Sequence, residues 1–446
     1  MPRPHWLRIS PDLPPHGNPK QSDGTLWFAA GRRRSAILVM LNCNGCRKDE
    51  SSVTDPKTMA ESRTSIGRPF RVSLGLAKPP ASSFLYYEWI GDSHIEGEYP
   101  CDPKVIAAHG DSVLIEMAHW KQVRPTVYDY FVYRAGASRL PLLSQLPGRG
   151  FPTRCDRDHG VCREPSERNL SVRNTGLLRC GENELQVVQL EMTAGSDLEN
   201  FADLCILYLN RSEWELKPAV PIVAAHNGSN EDQTMSRFGG NMVVPVGDRF
   251  MCWVDYHDGL MVHDLVQEYP KLRYVPMPVK PPMGYGYYDE GYVPHMEYTR
   301  SMCGIGTDTV RYVSIDPRCC CGCPGRGTCV HCRYAFTMTT WNLSLSTDDP
   351  MTWVKHTVLD CNDIWTHPAY EGLPRVHPQR PIMSIDNPDI VCFFIHDDDC
   401  TSLEESKVWM VEVDMRVKSV LSVLPCTNTR IQWDYLHLPA NFFAKW

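Results

Sequence analysis

Residues 318 to 333 read RCCCGCPGRGTCVHCR and hold six of the chain's 19 cysteines. Within that run, Cys320-x2-Cys323 and Cys329-x2-Cys332 are two metal-knuckle spacings facing each other across PGRGT. Four thiolates in a tetrahedron suit Zn2+, and glycines on either side of the reversal let the two pairs converge. Such a site, with every position filled by protein, is structural and leaves no place for substrate. No cofactor is expected; the metal reading of the run is a structural zinc held by Cys320, Cys323, Cys329 and Cys332, with His331 as a substitute donor. Two readings compete with it, a reduced cysteine-rich hairpin loop and redox pairing. Zinc ribbons space their pairs more widely, and the flanks VRYVSID and YAFTMTTW read as strands that already hold the loop.

Other residues carry weaker chemical patterns. CNGC, from Cys43 to Cys46, has redox spacing, but a thioredoxin-like nucleophile needs a helix start and a βαβ context, which this stretch lacks. CDRDHGVC, with Cys155, His159 and Cys162, reads as a polar loop. HDDD at His396 to Asp399 and DYHDGLMVHD at Asp255 to Asp264 supply acid-base donors, though at strand ends where acids are normally solvated. MGYGYYDEGY, residues 283 to 292, has the glycine and tyrosine alternation of a recognition loop or a long connection. The chain has no G-x-S-x-G elbow, Walker A loop, dinucleotide fingerprint or H-E-x-x-H motif.

The elements that must position these residues repeat. Five times an apolar stretch meets a tight acidic turn and a second β-rich stretch, then further strands that often carry tryptophan or an aromatic pair. The copies begin at VIAAHGDSVLIEMAH, GLLRCGENELQVVQLEM, NMVVPVGDRFMCWVDYHDGLMVHDL, GIGTDTVRYVSID and IMSIDNPDIVCFFIHD. Their turns fall at Gly110-Asp111, Gly181-Glu182, Gly247-Asp248, Thr307-Asp308 and Asn387-Pro388. Short runs of β-branched and aromatic residues bounded by Gly, Pro, Asn and Asp are strands, so each copy is one antiparallel sheet. A sheet cannot bury both apolar faces alone, and stacking of repeated sheets into a ring is the usual solution. The expected fold is an all-β, β-propeller-like array of antiparallel sheets with about six blades; the alternative is two stacked β-sandwich domains. FRVSLGLAKPPASSFLYYEWIG supplies an upstream copy and IQWDYLHLP completes a terminal sheet. Helical periodicity is weak, with HDGLMVHDLVQEYP the best candidate for a short helical turn.

With 446 residues and 42% hydrophobic content, the chain is long enough for a large core and lies outside disordered composition. Its formal net charge of -8 gives no general attraction to nucleic acid or anionic membrane, and Arg32 to Arg34 are too short a run to change that. No apolar run reaches the ~18 residues of a membrane span, and the first residues lack a signal-peptide pattern. The expected location is intracellular, cytoplasmic or nuclear, and the four sequons at Asn169, Asn210, Asn227 and Asn342 are acceptors in pattern only. Residues 1–62, rich in Pro, Ser and charge, read as a poorly ordered N-terminal extension without the leucine-rich helices of an F-box, and 63–440 as the β-propeller-like domain.

FMCWVDYHDGLMVHDLVQEYPKLRYVPMPVKPP, VRYVSIDPRCCCGCPGRGTCVHCRYAFTMTTWNLS and MTWVKHTVLD resemble the plant domain of unknown function 1618 family, most strongly over 238–375. That resemblance carries no catalytic residues, and its likeness in blade pattern to F-box-associated propellers implies a protein-interaction surface. The expected function is an interaction scaffold that binds a protein partner through propeller loops, with no nucleic acid or membrane partner. The alternatives are a hydrolase or lyase with its site at the propeller channel, and a zinc-stabilised binding module.

Overall fold

The computed structural model describes residues 36–446 apart from 51, 92–97, 122–123, 136–139, 152–168, 182–183, 193–200, 225–237, 281–295, 319–333, 346–349, 398–406, 427–436 and 444–446. Nearly all regular structure is β. The first sheet contains β1 (Ala36–Asn42), β2 (Cys46–Arg47), β3 (Ala60–Arg63), β4 (Pro69–Gly75) and β5 (Ser82–Trp89). The second contains β6 (Glu98–Pro100), β7 (Lys104–His109), β8 (Ser112–Lys121), β9 (Arg124–Arg134) and β10 (Leu142–Gln145). The third is β11 (Thr175–Cys180), β12 (Glu184–Met192), β13 (Phe201–Tyr208) and β14 (Glu213–Ala224). The fourth is β15 (Met242–Val246), β16 (Phe250–Asp255), β17 (Gly259–Asp264) and β18 (Leu272–Pro276). The fifth is β19 (Arg300–Ile305), β20 (Thr309–Pro317), β21 (Phe336–Ser344) and β22 (Trp353–Asp360), and the sixth is β23 (Gln379–Met383), β24 (Ile390–His396), β25 (Val408–Asp414) and β26 (Ser419–Pro425). The last strand, β27 (His437–Phe443), returns to the first sheet and pairs antiparallel with β1, Ala36 opposite Phe443 and Asn42 opposite His437.

The sheets form a ring. Six apolar clusters lie between them, one for each neighbouring pair. Leu85 and Phe131 belong to the cluster between sheets one and two; Val132 and Leu177 to that between two and three; Leu178 and Trp253 to that between three and four. Val254 and Tyr312 fill the fourth seam, Val313 and Phe393 the fifth, and Phe394 with Met40 the sixth, which joins the last sheet to the first. Successive residues of a strand point to opposite faces, so Leu177 and Leu178, Val132 and Tyr133, or Phe393 and Phe394 each serve two seams. This accounts for the runs of uninterrupted apolar residues: a sheet covered on both faces shows no polar alternation. A sandwich sheet packs on one partner only, so the two-sandwich alternative does not fit. At about 1.5–3 kcal/mol for each fully buried aliphatic or aromatic side chain, the seams are the main source of cohesion.

The innermost strands are β7, β11, β15, β19, β23 and β27; each touches the next, and β27 touches both β23 and β7. The sheet pairing itself falls into five hydrogen-bonded sheets, because the third and fourth are fused into eight strands: beyond its kink, β14 runs parallel to β18, with Ile222 opposite Leu272. The kink sits at Ala219, whose φ is +53 and whose N–H donates to Asp203 Oδ1 at 3.0 Å.

Two expectations shift. Strands β1 and β2 lie before residue 63 and β3 (Ala60–Arg63) ends on it, and Val39 and Leu41 are buried in the first seam, so the sheet array takes in at least Ala36 onward of the stretch read as an extension. HDGLMVHDLVQEYP forms β17 and a turn; helical structure appears instead as α1 (Cys361–Trp365), capped by Asp360, which accepts from Asn362 N at 3.0 Å while Asp363 accepts from Asp360 N. Among the described residues no helix is long and apolar enough to cross a membrane.

Candidate functional site

The centre of the ring encloses a cavity of about 250 Å3, lined by 107–109 of β7, 242–245 of β15, 302–304 of β19, the turn glycines Gly110, Gly247 and Gly306, and Ile385. The innermost strands come this close because two positions have no side chain. A Cβ on Gly304 would lie 2.5 Å from the Pro245 carbonyl oxygen, and one on Gly247 would meet Thr307 O at 2.4 Å. Gly247 also turns the chain with φ +60, a conformation L side chains rarely adopt.

One titratable imidazole faces this cavity. His109 ends β7, and its Nδ1 accepts the backbone N–H of Arg179, on the neighbouring β11, at 2.9 Å. Since a backbone N–H only donates, Nδ1 carries no proton and the neutral ring holds it on Nε2. Burial, then the Arg179 guanidinium, push the His109 pKa down to about 4, against opposing contributions from Asp248 and Asp111. Arg179 in turn pairs with Asp111 and donates to Ser112 Oγ at 2.7 Å, so the charges at this mouth are matched across two sheets. Cys303 is the cavity's thiol; burial raises its pKa to about 12, which keeps it protonated and a poor nucleophile.

The acid-base residues expected from sequence are not brought together. Asp255 accepts Gly239 N at 2.8 Å and His257 N at 2.9 Å, and so shapes the β16–β17 turn. Asp264 holds Arg249 through bonds of 2.8 and 2.6 Å, while His263 Nδ1 lies 3.2 Å from Lys271 O. His396 ends β24, with its pKa lowered to about 4 by burial and Arg380; neither it nor Asp397 lines the cavity. Cys43 and Cys46 flank the junction of β1 and β2, with no helix start beside them, and burial raises Cys43 to about 12. Cys155, His159, Cys162, residues 283 to 292, Asp398 and Asp399 lie outside the described residues, as do Cys320, Cys323, Cys329 and Cys332. What is described of the cysteine run is its frame. Pro317 pairs with Phe336 at the end of the β20–β21 ladder, and Arg318 N donates to Ala335 O at 2.8 Å.

A second cavity, of about 240 Å3, reaches from the first sheet to the third and is bordered by Ser65, Asp129, Gln145 and Arg149. Most of its polar groups are engaged, Arg149 Nε being an exception. Asp129 accepts from Ser65 N at 2.9 Å and Gln145 Nε2 at 3.0 Å and faces buried His119 at 3.4 Å; Arg149 pairs with Glu191 at 2.7 Å. Burial works to raise the Asp129 pKa, but the bonds from His119 and Ser65 outweigh it and hold it below the usual carboxylate value. This is a clamp between sheets.

A six-sheet, propeller-like ring, whose central cavity has no Asp, Glu, Lys or Arg in its described lining, is thus the class of molecule. Residues 253–392 match the model of a family described as protein of unknown function (DUF1618), the family that the sequence motifs resemble. A search of curated proteins finds no match. Among solved structures, the chain is similar to the WD40 domain of SCAP from fission yeast at 9% identity, with a TM-score of 0.31, covering 84% of this chain and 78% of that one. It is also similar to a mutant levansucrase from B. megaterium at 11% identity and a TM-score of 0.27, covering 86% of this chain and 92% of that one. A third likeness, at 9% identity and a TM-score of 0.28, is to the alpha-l-arabinofuranosidase arb93a from Fusarium graminearum, covering 86% of this chain and 98% of that one.

His109 is the residue that sequence reading passed over. The signal for it was the position immediately before the turn glycine in AAHGD, where an innermost strand meets the channel mouth.

Proposed function

We propose that this protein is an interaction scaffold that binds a protein partner, in the cytoplasm or nucleus, through the loops and outer edges of its sheets. The observation that carries the reading is the contrast between outermost strands. The edge of β18 is covered by β14, whereas β22 and β26 end their sheets with no further strand paired among the described residues. These strands present Val354, 62% exposed, and Leu421, 48% exposed. Exposed edges of this kind invite an added strand unless they are blunted, and an extended peptide can supply it. The net charge of -8 favours a protein over nucleic acid or an anionic membrane as the partner. The hydrolase or lyase alternative needs a carboxylate and a histidine in contact in the channel; Asp255 and Asp397, its two candidates, are not in the lining.

The test is affinity capture from the source organism with the wild type and with a Val354→Asp, Leu421→Asp variant, after matched thermal unfolding shows both folded. A reproducible protein lost from the variant supports the proposal. No reproducible protein, or the same set from both, counts against it.

A structural zinc at Cys320, Cys323, Cys329 and Cys332 remains part of the proposal. What favours it is the closed frame from Pro317 to Phe336, which brings the two ends of the cysteine run together. Elemental analysis after growth in zinc-containing medium should find one equivalent; less than about a tenth of an equivalent contradicts a stably filled four-thiolate site.

A further inference from the structure

We propose that the channel cavity is a binding site for a neutral, largely apolar small molecule carrying one hydrogen-bond acceptor, which His109 Nε2–H receives. Three observations bear on the ligand class. The lining carries no Asp, Glu, Lys or Arg, and Met242, Val244 and Met302 border it from two neighbouring sheets. Its single titratable imidazole is held in one tautomer by the Arg179 N–H on Nδ1, which leaves Nε2 as a fixed donor with no partner among the described residues. The nearest cation, Arg179, is already matched to Asp111 and Ser112. A pocket with these properties penalises any ligand charge, because burying an unpaired charge is expensive, and rewards one correctly placed acceptor. Pockets built for small molecules have this character: mostly apolar walls with a small number of placed polar groups.

The proposal is independent of the scaffold reading, because it concerns the ring centre and not the outer edges. Two probes of the same shape test it: 2-acetylnaphthalene, which has a carbonyl acceptor, and 2-ethylnaphthalene, which does not. Binding is followed on full-length protein carrying 13C-methyl methionine, with the Met242 and Met302 signals assigned from Met242→Leu and Met302→Leu variants. The expected result is that the ketone shifts both methyl signals and binds roughly fivefold more tightly than the hydrocarbon, the ratio one net hydrogen bond gives. In a folded His109→Phe protein that preference should vanish while hydrocarbon binding persists. The proposal is overturned if neither probe moves the two methyl signals, if wild type binds both probes equally, or if the preference survives in His109→Phe. The wild-type comparison decides the matter even where the variant does not fold.

Discussion

Trp353, the first residue of β22, donates its indole N–H to the carbonyl oxygen of Pro276, the last residue of β18, at 2.9 Å. The same tie occurs two sheets earlier, where Trp214 near the start of β14 donates to Pro147, just past β10, at 2.8 Å. In both cases the outermost strand of one sheet is pinned to the end of the outermost strand before it. The ring uses this joint twice, between sheets two and three and between sheets four and five.

Trp353→Phe keeps an aromatic ring beside Tyr312, 5.8 Å away, and removes the donor. It should destabilise the protein by about 0.5–1.5 kcal/mol, the net worth of one hydrogen bond. Trp214→Phe should fall in the same range. Denaturant unfolding of both variants is the check; a loss well above that range in either one would mean the tie is not the main role of that side chain.

The close approach of β15 and β19 makes a sharper prediction. Gly304→Ala puts a methyl 2.5 Å from Pro245 O and 3.1 Å from Val246 Cα, backbone that cannot rotate away, and should cost about 2–3 kcal/mol. Gly306→Ala meets nothing within 4 Å and carries only the penalty of φ +60, about 1 kcal/mol. Melting temperatures should rank wild type above Gly306→Ala and Gly306→Ala above Gly304→Ala. The reverse order of the two variants would deny the strand contact.

Stability should also depend on acid in a defined window. His109 is neutral in the fold down to about pH 4, while the unfolded chain takes up the proton near its ordinary value of 6.5. The unfolded state therefore binds more protons between those values, so this contribution is complete above pH 6.5 and is lost as pH falls toward 4, on the order of 3 kcal/mol across the window. His109→Asn keeps an acceptor for Arg179 N and removes the titration. Its unfolding free energy should change less steeply between pH 6.5 and 4 than that of the wild type, and an unchanged slope would remove His109 as a contributor.

At Ala219 the φ of +53 is imposed by the crossing of β14 to the fourth sheet. Ala219→Gly should be neutral or slightly stabilising, since glycine takes this conformation without strain, whereas the branched side chain of Ala219→Val should lose more than about 1 kcal/mol. Equal stabilities for the two variants would mean that the kink is not set there.

Five of the six sheets were legible because each is local in sequence, its first two strands joined by a tight turn with an acidic residue at or beside it and its later strands often marked by tryptophan. The first sheet was harder to see. Leu41 and Val39 belong to a short apolar run inside polar sequence, and β1 finds its partner in β27, some 400 residues away, a pairing that no local pattern announces. The acidic clusters misled for a related reason: Asp255 and Asp264 have the chemistry of a site, but their oxygens are engaged by a turn and by Arg249. His109 carried little signal because a single histidine before a turn glycine becomes meaningful only once the ring places it beside β15 and β19.

The six sheets close into a ring through β27 and β1. Amide hydrogen exchange of β1 and β23, compared between the full chain and one ending at Leu436, tests it most directly. Removing β27 should strip protection from residues 36–42, open the contact with β23 and lower overall stability. Unchanged protection in β1 and unchanged unfolding in the shortened chain would contradict a closed ring.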